Sequence, residues 1–522
     1  MTKNELIIGH YLIYMEKKKS IKFNFIMNVI LSVSNILFPI ITFPYLTEII
    51  KPDGTGKIGF ALSLVEYFNI FAQLGIPMYG IRVCAQVRDD KEKLTKTSHE
   101  LLIINLCMTA ITYVVFALSI LFIPALQEER ALYLIVSLNM IMTTIGMEWL
   151  YKAMEDYKYI TIRSVIFKFI ALIAMFLLVH DKEDYRIYGA ISVLATSGSM
   201  IVNFFNIHKY IDLKPRKNYD FKRHIKPVGI FLAMGCATTV YTNLDTIMLK
   251  LMTTDVDTGY YYTSIKVKSV LLSIITSLGA VLLPRVSFYV ENKMMDEFKF
   301  VITKAIKFVL IVSMAATFFF MLTARPCIMF LAKGDFEGAI MPMKIIVPTV
   351  FLIGLSNIFG IQILVPLKKE KTLLYILTGG AVLDFVINII LIPRLRASGA
   401  AVGTLAAECL VTGALLIYLS KDLKGVFARL EIIKIIIPLI ISSVICAGSY
   451  YLLITLDTNG NLPAIITGYG RIASLFKIAI PFGIFSIIYL ILLIVMKESL
   501  TMEILNRFLK RKGQNKDKSE SN

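Results

Sequence analysis

The sequence is short of charge, with Asp, Glu, Lys and Arg making up 18% of its 522 residues, where soluble chains usually carry about 25%. It has one tryptophan, five histidines and six cysteines. Cys84, Cys107, Cys236, Cys327, Cys409 and Cys446 form no C-x-x-C pair and lie mostly in or beside apolar runs. They read as small packing residues, and neither a disulfide nor a metal centre is expected. The histidines are scattered, and His208 and His224 lie in a basic segment with no carboxylate paired to them by spacing, so no zinc site is supported. No connection between apolar runs exceeds roughly 20 residues, too few for a soluble catalytic domain of about 50. The chain is therefore not expected to be an enzyme, and its chemistry must take place among its helices.

A nucleotide-binding loop is also missing. Gly54, Thr55, Gly56, Lys57 and Gly59 place glycines beside a lysine, but Ile58 stands where a hydroxyl would be needed for Mg²⁺. No glycine stands five residues before Gly56, and the preceding apolar run is far too long for a strand. The segment reads instead as a tight turn between two membrane helices, and no cofactor is expected beyond a coupling H⁺ or Na⁺.

Apolar length is what the chain has in abundance. It is 57% hydrophobic, with a mean hydropathy of +0.71. Apolar segments of roughly 20 residues, each long enough to cross about 30 Å of hydrocarbon as a helix, recur throughout. The expected fold class is an all-α polytopic membrane protein with about fourteen spans. They fall near 22–46, 57–80, 99–123, 131–151, 160–180, 187–208, 226–251, 262–283, 302–324, 342–366, 372–392, 399–419, 432–454 and 473–496. Residues 1–21 contain no small-residue cleavage site, so the first helix is expected to be retained. With the N-terminus in the cytoplasm, about 40 Lys and Arg fall on cytoplasmic loops, tails and helix ends, as the positive-inside rule requires. The net charge of +18 is then topological, and nucleic acid is not an expected partner. Both termini are expected inside, with the polar segment 511–522 disordered.

An internal repeat accounts for the glycines. "LTEIIKPDGTGKIGFALS" from Leu46 aligns with "LKLMTTDVDTGYYYTSIK" from Leu249, placing Thr55-Gly56 on Thr258-Gly259. "YGAISVLA" from Tyr188 aligns with "SGAAVGTL" from Ser398, placing Gly189-Ala190 on Gly399-Ala400. The offsets, 203 and 210 residues, are similar. The chain reads as two six-helix bundles, 22–220 and 221–425, followed by a helix pair over 426–500 and a tail over 501–522. An offset even in helices gives both halves the same orientation.

At this point the residues resemble a family. "FPYLTEIIKPDGTGKIGFALSLVEYFNIFAQLGIPMYGIRVCAQVRDDKEKL" is similar to the opening of the Wzx-type oligosaccharide repeat-unit flippases, the polysaccharide biosynthesis proteins. "TNLDTIML" from Thr242, "GYYYTSIKV" from Gly259, "LLPRVSFY" from Leu282 and "ASGAAVGT" from Ala397 carry the likeness onward, through roughly 20–420. The resemblance implies the multidrug/oligosaccharidyl-lipid/polysaccharide exporter fold, two bundles around a V-shaped cavity. It also implies translocation of undecaprenyl-diphosphate-linked oligosaccharides across a bacterial plasma membrane. Partners would be that lipid-linked substrate, membrane lipids and the polysaccharide polymerase machinery, with the chain a monomer. Drug–cation antiporters and the lipid II flippase share the fold and remain alternatives. The first helix lacks arginines like those the lipid II flippase places in its cavity.

Ionisable residues within spans are costly and mark sites or buried partners. Counting about 1.5 Å per residue, Glu66 lies roughly 14 Å into its helix, and Asp384 and Glu408 are also near mid-depth. With Asp245, they could bind a coupling cation; the alternative is a carboxylate protonated or hydrogen-bonded between helices. Lys266 could pair with Asp245 or, with Lys250 and Lys268, attract a substrate phosphate or acidic sugar; snorkelling to the interface is the alternative. Lys168, about 12 Å into its helix, and Arg163, with Arg82 and Arg88 at the cytoplasmic face, could collect the carrier diphosphate or simply anchor topology. Pro39 and Pro44 interrupt the first helix, as a hinge or a static kink.

Overall fold

The computed structural model describes residues 3–507 apart from 421, 428, 461, 464 and 465. The polar segment expected to be disordered lies outside them. Among the described residues every regular element is helical. In a bilayer that is the arrangement by which one segment satisfies all its own backbone groups.

Contacts gather the chain into two compact units, Met1–Ile247 and Met248–Asn522. The first contains α1 (Lys3–Gln73), α2 (Ile76–Gln86), α3 (Lys91–Phe122), α4 (Pro124–Gln127), α5 (Arg130–Gly146), α6 (Glu148–Ala153), α7 (Tyr157–Leu178), α8 (Tyr185–Val193), α9 (Ser199–Asn206) and most of α10 (Lys222–Met252). The second contains α11 (Asp255–Glu291), α12 (Met295–Leu322), α13 (Ala324–Ala332), α14 (Ile340–Ile346), α15 (Thr349–Asn357), α16 (Glu370–Leu395), α17 (Ala397–Leu419), α18 (Lys424–Phe427), α19 (Ile433–Thr458) and α20 (Arg471–Val495). Short π-helical stretches join α8 to α9 at Leu194–Gly198 and follow α15 at Ile358–Leu364.

Nine helices among the described residues are long and apolar enough to cross a membrane, or ten if the bent pair around α14 and α15 is one span. The sequence suggested about fourteen. The first two expected spans run on as one helical segment, α5 is only 17 residues long, and parts of α10 and α11 lie outside the residues whose side chains are described.

The glycine segment is not itself the turn. The helical backbone of α1 is broken at Lys51, with φ 59° and ψ 178°. Pro52 follows it; proline disfavours α geometry in the residue before it and is well placed to begin the next helix. Gly54 and Gly56 therefore lie in the first turns of the second half of α1. Pro39 and Pro44 sit within helical backbone, the non-helical dihedrals of α1 being at Lys51. Thr55 Oγ1 donates to the carbonyl of Lys51 at 2.8 Å, and Thr258 Oγ1 to that of Thr254 at 3.0 Å.

Unit 1 closes at one end around Ile76, Cys84, Leu94, Leu101, Leu150 and Val228, all buried. Gly75 begins α2 at φ 72°, and a Cβ there would stand 2.6 Å from the Leu232 backbone nitrogen in α10. Both the left-handed backbone and the close approach demand glycine. Unit 2 packs around a larger apolar cluster that includes Ile302, Ile328, Phe336, Met343, Phe359 and Leu415.

Gly75→Ala is expected to destabilise the protein by about 2 kcal/mol or more, whereas Gly229→Ala, whose Cβ would meet nothing within 4 Å, should be close to neutral. Thermal unfolding of the detergent-purified variants checks this; equal midpoints would contradict the packing described.

Candidate functional site

In unit 1, α7 is set in place by its N-cap. Asp156 accepts from the Tyr159 amide, and its carboxyl, outside the span, lies below the ordinary range: burial pushes it up, but hydrogen bonds from Tyr210 and Lys209 outweigh that. Thr161 Oγ1 then donates to the Met27 carbonyl at 2.9 Å, tying α7 to α1. Two turns on, Lys168 Nζ donates to Ser34 Oγ at 2.9 Å and to Asn35 Oδ1. Its partners are neutral and no carboxylate contacts it among the described residues, so its positive charge remains to be balanced.

Arg163 is held differently. It is buried, with Nη2 2.7 Å from Glu148 Oε2 and Nη1 2.5 Å from Ser199 Oγ. Glu148 also takes Lys152 at 2.8 Å. Arg88 pairs with Glu155 at 2.9 Å. Arg82 is exposed and lines a small cavity with Tyr79, Pro227 and Phe231. Of the cations expected in this unit, Lys168 is the one placed mid-span with neutral partners.

Glu66 lies half-buried on the second half of α1 and begins a polar seam absent from the sequence reading. Asn69 hydrogen-bonds Glu66. Gln73 Nε2 donates to Thr143 and Thr144, at 3.1 and 2.9 Å. Thr144 meets Thr109 at 2.8 Å, and Asn105 donates to the Ala72 carbonyl at 2.6 Å. The seam runs between α1, α3 and α5, and the sequence signal for it is the i, i+3, i+7 series Glu66, Asn69, Gln73.

Asp245, Asp384 and Glu408 are all buried. In unit 2, Asp384 and Asn388 lie one turn apart on α16, and Thr404 and Glu408 one turn apart on α17. Thr404 Oγ1 meets Tyr261 Oη of α11 at 2.9 Å. The two helices meet through small residues: a Cβ on Gly403 would stand 2.2 Å from Asn388 Oδ1 and 2.8 Å from Asp384 Oδ1. Asp384 and Asn388 thus stand against Gly403, next to the Thr404–Tyr261 pair, with the buried Glu408 one turn on, and hard cations take oxygen ligands of this kind. Asn388, Thr404 and Tyr261 were not expected; the i, i+4 spacing of Asp384 with Asn388 was the available signal.

Of the remaining cations, Lys250 is paired with Asp255 at 2.6 Å. Lys266 is half-buried over the Tyr262 ring, 4.5 Å from its centroid, and Lys268 is also half-buried. Lys57, from the glycine segment, lies 3.1 Å from Asp53 and 3.2 Å from the buried Glu129. His224, with no carboxylate paired to it by spacing, meets one from far along the chain. Glu100, 124 positions away, is 2.9 Å from its Nε2, and Tyr79 Oη is 2.9 Å from its Nδ1.

The model of the family described as "Polysaccharide biosynthesis protein" matches residues 21–290, just over half the chain. The chain belongs to that family. A relative from Escherichia coli K12 named "Putative O-antigen transporter" is 23% identical over 409 residues, 78% of this chain and 98% of its own. One of the same name from Shigella dysenteriae is 22% identical over 384 residues, 72% of this chain and 94% of its own. Among solved structures, the lipid II flippase MurJ in an inward closed conformation superposes with TM-score 0.68 at 14% identity, covering 90% of this chain and 98% of that one. An inward-facing MATE family multidrug resistance transporter of the MOP superfamily gives TM-score 0.60 at 10% identity, covering 77% and 99%. This member of the polysaccharide biosynthesis protein family therefore has the fold common to those exporters.

Arg163→Ala is expected to cost about 2 kcal/mol, because it strips a cation from the largely buried Glu148 while Lys152 compensates in part. Lys168→Gln should leave the unfolding midpoint nearly unchanged, since an amide can still meet Ser34. Thermal unfolding of both variants distinguishes the cation held by a carboxylate from the one held by neutral partners.

Proposed function

We propose that the protein is a flippase moving polyprenyl-diphosphate-linked oligosaccharide repeat units across a bacterial plasma membrane, for assembly of a surface polysaccharide. Family membership and the names of the curated relatives support the substrate class. The observation that carries the reading to a residue is Lys168, a mid-span cation whose bound partners are neutral. In hydrocarbon such a charge is expensive unless something anionic balances it for part of the cycle, and a diphosphate would do so.

The protein works by alternating access, with both termini in the cytoplasm and Lys168 attracting the diphosphate. Asp384, with Asn388, Thr404 and Glu408, supplies the place for a coupling cation in unit 2. An inward ion gradient drives the cycle, since the sequence carries no phosphate loop for hydrolysis. The chain acts as a monomer that hands its product to polymerase machinery. The lipid II flippase and the drug–cation antiporter share the fold, but the curated relatives favour the oligosaccharide.

Purified protein in liposomes, given a lipid-linked oligosaccharide, tests this. Lys168→Gln should slow flipping about tenfold or more, the worth of one charge-assisted hydrogen bond, and Lys168→Arg should retain most activity. Asp384→Asn should abolish the acceleration produced by an imposed H⁺ or Na⁺ gradient while leaving slow, gradient-independent flipping. Unchanged rates in Lys168→Gln would remove that residue from the mechanism, and movement indifferent to any gradient would remove coupling.

A further inference from the structure

Two adjoining cavities in unit 2, about 450 and 560 Å³, share Phe300, Lys304, Leu500 and Glu503 in their walls. They are bounded by the end of α11, the first turns of α12, the connection before α19, and the helical segment 499–507 after α20. All of these are ends of apolar helices. On α12, Lys307 is the last charge before an uncharged run from 308 to 322, so the cavities open at the depth where hydrocarbon gives way to headgroups. By the positive-inside reading this is the cytoplasmic face.

The walls are of two kinds. Leu282, Tyr289, Phe300, Val301, Phe308 and Ile504 give an apolar side. Five cations, Arg285, Lys304, Lys307, Arg429 and Arg507, stand against three carboxylates, Glu297, Glu431 and Glu503.

Most of these charges are already matched. Lys307 Nζ is 2.7 Å from Glu431 and 2.5 Å from Ser499, and Lys304 is 2.7 Å from Glu503, which also takes Arg507 at 2.6 Å. Hydrogen bonds from Lys307 and Lys434 hold the Glu431 carboxyl down at about 2, so it stays ionised and engaged. Among the described residues, the guanidiniums of Arg285 and Arg429 have no hydrogen bond or ion pair, and of the carboxylates only Glu297 is left without a cation. Two guanidiniums, one in each cavity, therefore face the joined space with a surplus of positive charge, Arg285 beside the apolar wall and Arg429 in the more polar cavity adjoining it. Guanidinium is weakly hydrated and forks to match phosphate oxygens, and basic pockets at the cytoplasmic ends of spans suit acidic headgroups.

We infer that this double cavity binds the phosphodiester headgroup of an anionic membrane lipid, held by Arg285 and Arg429, with its acyl chains along the apolar wall of α11 and α12. The bound lipid also fastens the segment 499–507, which forms the outer wall. This site is separate from Lys168 and from the Asp384 region, and does not depend on what the protein transports.

The test uses the full-length protein in detergent, titrated with phosphatidylglycerol, with phosphatidylcholine of the same chains, and with inorganic phosphate, read by native mass spectrometry and thermal stabilisation. Phosphatidylglycerol should bind in preference to phosphatidylcholine, and Arg285→Gln with Arg429→Gln should weaken it about thirtyfold, the worth of two cations near a membrane surface. Phosphatidylcholine binding should not change. A photoreactive phosphatidylglycerol on the unaltered protein should label residues 297–308 or 499–507, which keeps the test independent of variant folding. Equal binding of the two lipids, no effect of the double substitution, or labelling confined elsewhere would overturn the site. Displacement of phosphatidylglycerol by inorganic phosphate at equal concentration would overturn the lipid as its source.

Discussion

A bilayer interior cannot solvate a charge, and the arrangement of both units follows from that. Each ionisable side chain drawn below the surface has to find its counterpart on another helix, because leaving it alone costs several kcal/mol. Glu129 gathers Lys57, Arg186 and the Tyr185 hydroxyl. Glu148 holds Arg163, and the fully buried Lys477 reaches Asp457 and the Gly468 carbonyl. These contacts fix which helix faces lie together more specifically than apolar packing can, since lipid is as apolar as leucine. Beside these pairs, the mid-span Lys168 is held by neutral partners, and the proposed function rests on it.

Where charge does not set the packing, close backbone approach does. α16 and α17 meet along Gly399, Ala400, Gly403 and Ala407, and the nearness that excludes a Cβ at Gly403 brings Asp384 and Asn388 beside Thr404. The same tightness appears at the helix corners. Lys51, Lys333 and Arg396 all take φ between 50° and 59° with ψ far from the left-handed helix. Non-glycine residues held there cost about 1–3 kcal/mol each. The surrounding bundle imposes these conformations, since nothing about lysine or arginine favours them.

Much of the architecture was legible in advance. The apolar runs gave the helices and the class. The glycine segment, read as a turn, is helical, and the break in α1 lies just before it at Lys51 ahead of Pro52. The site was legible in part. Asp384 and Glu408 stood out as charges in apolar surroundings, whereas Asn388, Thr404 and Tyr261 did not, since neutral polar residues are common in such helices and reveal a role only by their neighbours.

The sequence by itself determined that this chain is a stack of membrane helices, poor in charge and basic overall, because hydropathy, periodicity and the placement of lysine and arginine are properties of single segments. Only the tertiary structure decided which charges are spent on one another and which are left available. That decision joins residues such as Glu100 and His224, or Lys307 and Glu431, that lie more than a hundred positions apart. Pairing across such distances depends on how helices cross in three dimensions, and no local pattern encodes it.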